Sequence, residues 1–366
     1  MSVESDLRKD GIEVIKKLDT LRINSIARNI SIRLCETFPN FNLNQNDLFI
    51  KLSRLNMYIA KMPEGMAEAN YFYKNSSIYF KEGLLLDDMK NFAVHEFIHA
   101  YQELKDKNNV LYRLGLCDFT GLKVTGMALN EAAVQLMASK ALNAESEAVK
   151  YYDIEFNTNT PNCYPIICNL VNQMSYLIGE NVLFDSTINS NNKFSKSLIA
   201  ICGHKNYKRI INNLDKILKL EEKMALISGK LEEDILSETF IVKASTKVGN
   251  YKKLIKNTFF ETQNIILASY FNKSLDNVYS SQEIENFRKK LYHYRDLLGT
   301  NQDYTFFNDY YINMMIKLDE KYETLNNPEL ALVPYSRSIF QIILEKLHAL
   351  FASTKKISDI QSKEIS

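Results

Sequence analysis

The chain has 366 residues, of which 46% are hydrophobic and 11% aromatic, so it can bury a full core and is long enough for two or three domains. Its 45 Lys and Arg residues nearly balance its 44 Asp and Glu residues, which leaves a formal net charge of +1. A chain so close to neutral has no overall field that would attract nucleic acid or an anionic membrane, and we expect neither as a partner.

The amino-terminal segment carries charged residues every few positions, whereas a secretory signal needs an unbroken apolar stretch. No later run approaches the roughly 20 apolar residues of a membrane span. The cysteines number five and lack C-x-x-C spacing, which argues against a disulfide framework or a cysteine zinc cluster. We therefore expect a cytoplasmic protein with reduced thiols.

The first predicted elements are helices followed by a hairpin. Apolar residues recur at helical spacing from about Val14 to Phe38 and stop before Pro39, which predicts one or two helices. Residues 56–80 are instead rich in β-branched and aromatic residues, with the turn-prone KNSS between two short runs. This pattern predicts a small antiparallel sheet with a hairpin.

Helical patterns return after the hairpin. They run from residue 85 to about 201 with two loop-like breaks, and from about 207 nearly all of the chain consists of amphipathic helical blocks such as YKRIINNLDKILKLEEKMALI and SRSIFQIILEKLHALFAS. The sequence therefore predicts an α+β, mostly helical fold. Its three predicted regions are an N-terminal helical segment (1–50), a core (51–205) and an all-helical C-terminal domain (206–366).

The segment NFAVHEFIHAYQ (91–102) holds two of the chain's five histidines, four positions apart. It belongs to a helix predicted over about 87–105, in which residues four apart lie on one face about 6 Å apart. His95 and His99 can therefore bind one metal ion. Glu96 points about 100° round the helix, where it can contact a water held by that ion.

Apolar neighbours predict that this helix is buried. Two surface or core histidines could share the spacing by chance, but burying unpaired imidazoles and a carboxylate is costly. A bound metal removes that cost, and zinc is the ion we expect. The apolar neighbours are Phe92, Val94, Phe97, Ile98 and Ala100.

Two histidines and a water leave a tetrahedral zinc site one protein ligand short. Glu103 lies two turns beyond His95 on the predicted helix, too far to share the ion. Glu131 is the better candidate, because it begins a polar stripe, continued by Gln135 and Ser139, on an otherwise apolar helix.

Two alternatives to this ligand assignment stay open. Glu131 could be a solvated glutamate in the first turn of a helix capped by Asn130. Asp118 could serve as the third ligand in its place.

HEFIH, followed by NEAAVQ from residue 130, resembles the gluzincin metallopeptidases, the thermolysin-like group in which a glutamate on a second helix completes the zinc site. NYFYKNSSIYFKEG (70–83) is similar to the edge strand of those enzymes, which binds peptide substrate by main-chain pairing. The resemblance covers about residues 56–180. It implies a zincin-like core with one Zn²⁺ ion, an edge strand beside the HExxH helix, and substrate contacts from Asn70 and Tyr71.

Downstream, TPNCYPIICNLVNQMSYLIG (160–179) is similar to the loop and helix that carry an oxyanion-stabilising histidine in thermolysin-like enzymes, but it holds no histidine. Tyr164 falls within a residue of the matching place, and a phenol can donate to a developing oxyanion. We assign it that role as a hypothesis, with a plain core or loop tyrosine and His204 as the rivals. Gln135 stands where the family has an aspartate that orients a metal-bound histidine, and its amide oxygen can accept the same hydrogen bond.

The helical C-terminal region carries little chemical signal. His293 and His348 each stand alone in amphipathic patterns, and we interpret them, like the basic clusters KVGNYKKLIK and FRKKLYHYR, as solvated helix faces. The region could cap the cleft, dimerise or recognise a partner.

Together these residues predict a zinc-dependent endopeptidase that acts on extended peptide or unfolded protein substrates. Glu96 would take a proton from the zinc-bound water and return it to the leaving amine, and Tyr164 would help to hold the oxyanion. Two other classes stay open. One is a dedicated regulatory protease that cleaves a single partner protein, and the other is a non-enzymatic interaction protein with a structural metal site. The sequence predicts no oligomeric state.

Overall fold

The computed structural model describes most of the chain and is a mixed α and β structure, about 66% helical. Its residues form two compact units, the described parts of 1–277 with 289–308 and of 278–288 with 309–366. These units differ from the three predicted regions, whose bounds stay a prediction. The described residues are 7, 11–63, 66–120, 124–231, 238–298 and 304–327.

A four-stranded sheet is the largest sheet in the described part of the chain. Strands β1 (Glu13–Lys17), β2 (Asn56–Lys61), β3 (Ala69–Phe72) and β4 (Ser77–Lys81) follow the order β1-β2-β4-β3. The prediction of an antiparallel sheet was wrong for β2 and β4, which run parallel because the β3 hairpin strand adds to the outer side of β4, while the other two pairs are antiparallel. The predicted hairpin is confirmed as β3 and β4, and β3 is an edge strand of this sheet.

The prediction of a helix from Val14 onward was wrong for its first residues. Val14 and its neighbours form β1, which pairs with β2 across a bulge, and Val14 is 44% exposed. Helix α1 (Thr20–Thr37) begins only after Asp19, whose side chain accepts a hydrogen bond from the Arg22 N–H at 2.9 Å. A short half-exposed apolar run fits strand or helix equally well, and the cap decides where the helix starts.

Helix α2 (Gln45–Ser53) precedes β2, and helix α3 (Leu86–Gln102) follows β4. α3 packs against β3, α1 and α4 (Met127–Ala141), so it lies at the centre of this part of the fold. Its predicted end at 105 was wrong, since the backbone turns extended at Glu103 (φ −59°, ψ 123°). Its predicted apolar neighbours are buried except Phe92, which is 41% exposed.

Five short strands were not predicted, because runs of two to five residues are too short for a periodic pattern to emerge. They belong to a three-stranded antiparallel sheet and to a separate hairpin. The sheet contains β5 (Glu103–Lys105), β6 (Leu111–Leu114) and β7 (Cys117–Asp118), and the hairpin contains β8 (Glu147–Tyr151) and β9 (Ile154–Thr158).

The rest of the described chain is helical, which confirms the helical C-terminal region, although the predicted block at 337–354 lies outside the described residues. None of the described helices combines the length and apolar character needed to cross a membrane. All five cysteines carry free thiols. The helices are α5 (Pro165–Ile178), α6 (Glu180–Ile188), α7 (Lys193–Leu231, kinked at Gly203), α8 (Glu238–Leu267, extended by a π-helical turn Ala268–Asn272), α9 (Lys273–Asp276), α10 (Ser281–Leu298) and α11 (Tyr304–Asn326).

A partly buried carboxyl on α7 makes stability depend on pH. Burial raises the pKa of Glu221 from 4.5 to about 7, against the effect of a hydrogen bond from the Tyr152 hydroxyl at 3.4 Å. As the pH rises from 4.5 to 7, the unfolded chain releases this proton before the folded protein does, so the free energy of unfolding falls across that window. The glutamine of Glu221→Gln cannot ionise. The free energy of unfolding of this variant should therefore exceed that of wild type by about 2 kcal/mol at pH 8, a value reduced to allow for partial exposure of the side chain.

Urea denaturation at about pH 4.5 and pH 8 measures this difference. The matched control is Glu145→Gln, at an exposed position after α4, which should change stability by less than about 0.5 kcal/mol at either pH. An equal effect of Glu221→Gln at both pH values would show that the Glu221 carboxyl does not titrate in this window.

Candidate metal centre

One turn of α3 brings the two histidines together. The Nε2 atoms of His95 and His99 lie 3.0 Å apart, and the ring planes meet at 67°. His99 is buried and His95 is half-buried. Both nitrogens therefore point to the same place beside the helix.

Helix α4 supplies the third donor. Glu131 Oε2 lies 3.3 Å from His95 Nε2 and 3.4 Å from His99 Nε2. Within the described ranges, these three residues are the group of metal-ligating side chains whose donor atoms all lie within 4.8 Å of one another. The structure thus brings together the three residues that the sequence nominated as ligands.

The triangle of donor atoms has the dimensions of one face of a tetrahedral metal site. For metal–ligand bonds of about 2.0–2.1 Å, two ligands of a tetrahedral ion lie about 3.3 Å apart. The sides of the triangle are 3.0, 3.3 and 3.4 Å. These residues fit a divalent cation, with a fourth position left for a small ligand.

A glutamine on α4 orients the first histidine. Gln135 Oε1 lies 2.9 Å from His95 Nδ1, and because an amide oxygen can only accept, Nδ1 carries the proton. Nε2 is then the ring nitrogen that faces the triangle, where it can donate to Glu131 or, after losing its proton, bind a cation. Gln135 Nε2 in turn donates to Ser139 Oγ at 3.4 Å, so the polar stripe noted in the sequence forms one chain of contacts.

Asn130 contacts the second histidine, a role that sequence reasoning missed. Its Nδ2 atom lies 3.5 Å from His99 Nδ1, and its Oδ1 atom accepts a hydrogen bond from the Leu116 N–H at 3.0 Å. The alternative in which Asn130 caps this helix was wrong, since α4 begins at Met127. Its place directly before Glu131 on an apolar helix was the available signal.

Asp215 on α7 occupies the capping role instead. Its carboxylate accepts hydrogen bonds from Ala128 N (3.1 Å) and Gly126 N (3.4 Å) at the start of α4. A carboxylate at a helix N-terminus satisfies free N–H groups and interacts favourably with the helix dipole. This contact fixes the end of α4 that presents Glu131.

Helices α3 and α4 hold opposite charges close together at the triangle. Burial alone would lower the pKa of His95, but its hydrogen bond to Glu131 and the charges of Glu96 and Glu131 raise it to about 9. Burial alone would raise the pKa of Glu131, but the charge of His99 and the hydrogen bonds from both imidazoles bring it well below its usual range. The Glu131 carboxylate is therefore held ionised, the state that binds a cation.

Glu96 lies beside this triangle and is tied to the edge strand. Its Oε2 atom accepts a hydrogen bond from the Tyr71 N–H at 2.6 Å. Burial raises the pKa of the Glu96 carboxyl, and Glu131 adds to the rise, while both histidines and the Tyr71 N–H oppose it. A half-buried carboxyl with a raised pKa beside this triangle is suited to accept and return a proton.

The two residues proposed from the edge strand differ in their surroundings. The hydroxyl of Tyr71 donates to Glu103 Oε1 at 2.8 Å, so its side chain joins β3 to the end of α3. The amide of Asn70 donates to the Ala67 carbonyl at 3.1 Å, and its Nδ2 atom lies 3.6 Å from Met62 Sδ. The Asn70 side chain is thus engaged with the preceding loop.

Tyr164 stands at the N-cap of α5 with a left-handed backbone (φ 50°, ψ 39°). Burial raises the pKa of its phenol well above the usual value, and the charges of Glu131, Cys163 and Glu96 raise it further. Its hydroxyl therefore stays protonated and can donate. No hydrogen bond joins Tyr164 to the triangle in the described part of the chain.

No family model, curated protein or solved structure matches the chain.

The remaining candidates lie apart from the triangle. Asp118 accepts hydrogen bonds from the N–H and hydroxyl of Thr120 and is not a member of the metal-ligating group. His204 follows the kink of α7 and is exposed, as is His293 on α10. His348 lies outside the described residues.

Gly115 makes room for the polar contacts behind His99. Its φ is +56°, and an added Cβ would overlap Asn130 Oδ1 and lie 2.5 Å from Gln102 Nε2. We expect Gly115→Ala to destabilise the protein by about 2–4 kcal/mol and to lower zinc affinity at least tenfold, because Asn130 must move away from His99.

Thermal unfolding and zinc titration against a competing chelator measure these two effects. Gly83→Ala is the matched control, because Gly83 also has a positive φ (+92°) but no atom lies within 4 Å of an added Cβ. It should cost only about 1–2 kcal/mol and leave zinc affinity unchanged. Equal behaviour of both variants would show that the overlap with Asn130 does not influence the metal centre.

Proposed function

We propose that the chain is a zinc-dependent endopeptidase of the gluzincin type. The observation that carries the proposal is the triangle of His95 Nε2, His99 Nε2 and Glu131 Oε2, with sides of 3.0–3.4 Å and Glu96 beside it. Two imidazoles and a carboxylate suit zinc better than magnesium or calcium, which favour all-oxygen sites. Three protein ligands are typical of catalytic zinc, whereas structural zinc normally takes four.

Zinc, when bound, supplies Lewis acidity to the scissile carbonyl and to the attacking water. Glu96 accepts a proton from that water and transfers it to the leaving amine, which its burial and raised pKa support. The Tyr71 N–H holds the Glu96 carboxylate at 2.6 Å and so limits its orientation. This contact positions the general base before substrate arrives.

Tyr164 is the proposed donor to the oxyanion. Its raised pKa keeps the phenol protonated, and its hydroxyl makes no hydrogen bond with another residue in the described part of the chain. A donor with no competing partner can serve the developing negative charge. The exposed position of His204 gives no comparable support to the rival assignment.

The substrate of this proposal is an extended polypeptide. β3 is bonded to β4 on one side only, and an edge strand can pair with a further chain through its main-chain groups. Only unfolded or flexible segments can add to a sheet edge in this way. The proposed substrate class is therefore peptides and unfolded proteins.

The test is cleavage of a quenched-fluorescence peptide library and of an unfolded protein by samples of known zinc content. We expect about one zinc per chain, cleavage by the zinc-loaded protein, loss of cleavage on chelation, and recovery when zinc is restored. His293→Ala is the matched control, because it removes an exposed histidine of α10 and should change neither zinc content nor cleavage.

Two results would contradict the proposal in different ways. Zinc bound at one per chain without cleavage of any library peptide or unfolded protein would rule out general peptidase activity and favour a dedicated substrate or a structural site. Cleavage that persists after complete zinc removal would show that the activity does not belong to this centre.

A further inference from the structure

A cavity of about 450 Å³ lies where the last turn of α4 meets α5 and α6. This volume is within the range of about 300–1,000 Å³ that small-molecule sites occupy. Leu136 and Phe184, both buried, form apolar parts of its wall. The residues that line it include none of the proposed zinc ligands or catalytic groups, so the inference below does not rest on the proposed function.

Four polar side chains on the cavity wall have unused hydrogen-bonding capacity. They are the amides of Asn143, Asn159 and Asn172 and the hydroxyl of Ser175. None of the four hydrogen-bonds to another residue in the described part of the chain. Asn143 is exposed and Asn159 and Asn172 are half-buried, so the cavity is open to solvent beside these amides, whereas Ser175 is only 2% exposed. These groups are therefore available to hydrogen-bond to a ligand in the cavity.

The charges on the wall compensate each other. Lys140 Nζ bonds to Glu180 Oε2, and the same ammonium lies 5.4 Å from the centre of the Phe184 ring. An anion or a zwitterion would have to break this pair to find a partner. The cavity therefore favours a ligand without formal charge.

We infer that this cavity binds a small neutral polyhydroxy compound, a sugar of one or two rings. Each amide offers both a donor and an acceptor, and adjacent sugar hydroxyls need both. Ser175 supplies a further hydroxyl, and Leu136 and Phe184 contribute apolar wall that can contact C–H groups of a sugar. A peptide or amino acid would instead require free charges or a groove open along its length.

The test uses the full zinc-loaded chain and a panel of D-glucose, D-galactose, D-mannose, N-acetyl-D-glucosamine and maltose, with glycine and dialanine as zwitterionic comparisons. Binding is measured by saturation-transfer NMR and by isothermal titration. We expect at least one sugar to bind with a Kd in the millimolar range or tighter, and neither zwitterion to bind.

Three variants locate the binding. Asn172→Ala should weaken sugar binding about tenfold, since it removes a donor and an acceptor. Ala144→Tyr, at an exposed position on the cavity wall, should abolish binding by filling the space without disturbing the core. Asn108→Ala is the matched control at an exposed turn outside the cavity and should bind like wild type.

Several results would overturn the inference. Absence of binding by every sugar in the panel would reject this ligand class, and tight binding of a zwitterion alone would reassign the cavity to amino acids or peptide termini. Sugar binding that survives Ala144→Tyr with unchanged Kd would place it elsewhere on the protein.

Discussion

Glu96→Gln is expected to lower the rate of peptide cleavage by about 10²–10⁴-fold while the zinc content stays at the wild-type level. Glutamine has nearly the same shape as glutamate and can occupy the same space beside the metal ligands. It cannot accept a proton from water, so it removes the proposed general base and little else. The measurement is kcat/KM for a cleaved library peptide, with elemental analysis of the same sample.

The matched control is Glu145→Gln, the same chemical change at an exposed position after α4. It should retain full activity. Cleavage by Glu96→Gln at more than about a tenth of the wild-type rate would show that another group moves the proton. Loss of zinc from Glu96→Gln would instead show that this carboxylate holds the metal, which would contradict the division of roles proposed above.

Glu131→Ala is expected to lower zinc affinity by more than about 100-fold, a larger effect than the loss of an outer-sphere contact. It removes the one carboxylate of the triangle, whose Oε2 atom lies 3.3 and 3.4 Å from the two imidazole nitrogens. The remaining histidines offer two donors, too few for a stable tetrahedral site. Competition titration with a chromogenic chelator gives the affinity.

The control for this variant is Asp118→Ala, which removes the other carboxylate that the sequence left open as a ligand. Asp118 bonds to Thr120 and lies outside the metal-ligating group, so zinc affinity should stay within about threefold of wild type. The opposite pattern, with zinc retained by Glu131→Ala and lost by Asp118→Ala, would transfer the third ligand to Asp118.

The parts of the site that the sequence predicts depend on short, regular geometry. Helical spacing alone puts His95 and His99 on one face, and the four-residue period of Glu131, Gln135 and Ser139 marks one stripe of α4. The structure shows the polar stripes of α3 and α4 in contact. Gln135 is hydrogen-bonded to His95, and the Glu131 carboxylate contacts both histidines. Periodicity within one helix is local, so a single sequence is enough to reveal it.

The parts that escaped prediction depend on contacts between distant segments. Asn130 contacts His99 only because Gly115 leaves space behind it, and no pattern near residue 130 reveals that space. Strands β5 to β9 contain two to five residues each, and their pairing across turns, not their composition, makes them strands. The same holds for β1, whose apolar residues match a helical pattern until β2 pairs with them.

The hydrogen bond between Tyr71 and Glu96 determines how a substrate chain can pair with the edge strand β3. Beside the antiparallel pair of β3 and β4, the Glu68 carbonyl accepts a hydrogen bond from the Lys81 N–H. The backbone N–H and C=O groups of residues 68, 70 and 72 therefore point to β4, and those of Tyr71 point to the open edge. The backbone N–H of Tyr71 already donates to Glu96 at this edge, whereas the backbone carbonyl of Tyr71 also points outward from the edge. A substrate chain would therefore bind here by donating one of its own backbone N–H groups to the Tyr71 carbonyl. A proline or an N-methylated residue opposite Tyr71 lacks that N–H, so it would abolish this hydrogen bond without changing the other side chains of the substrate.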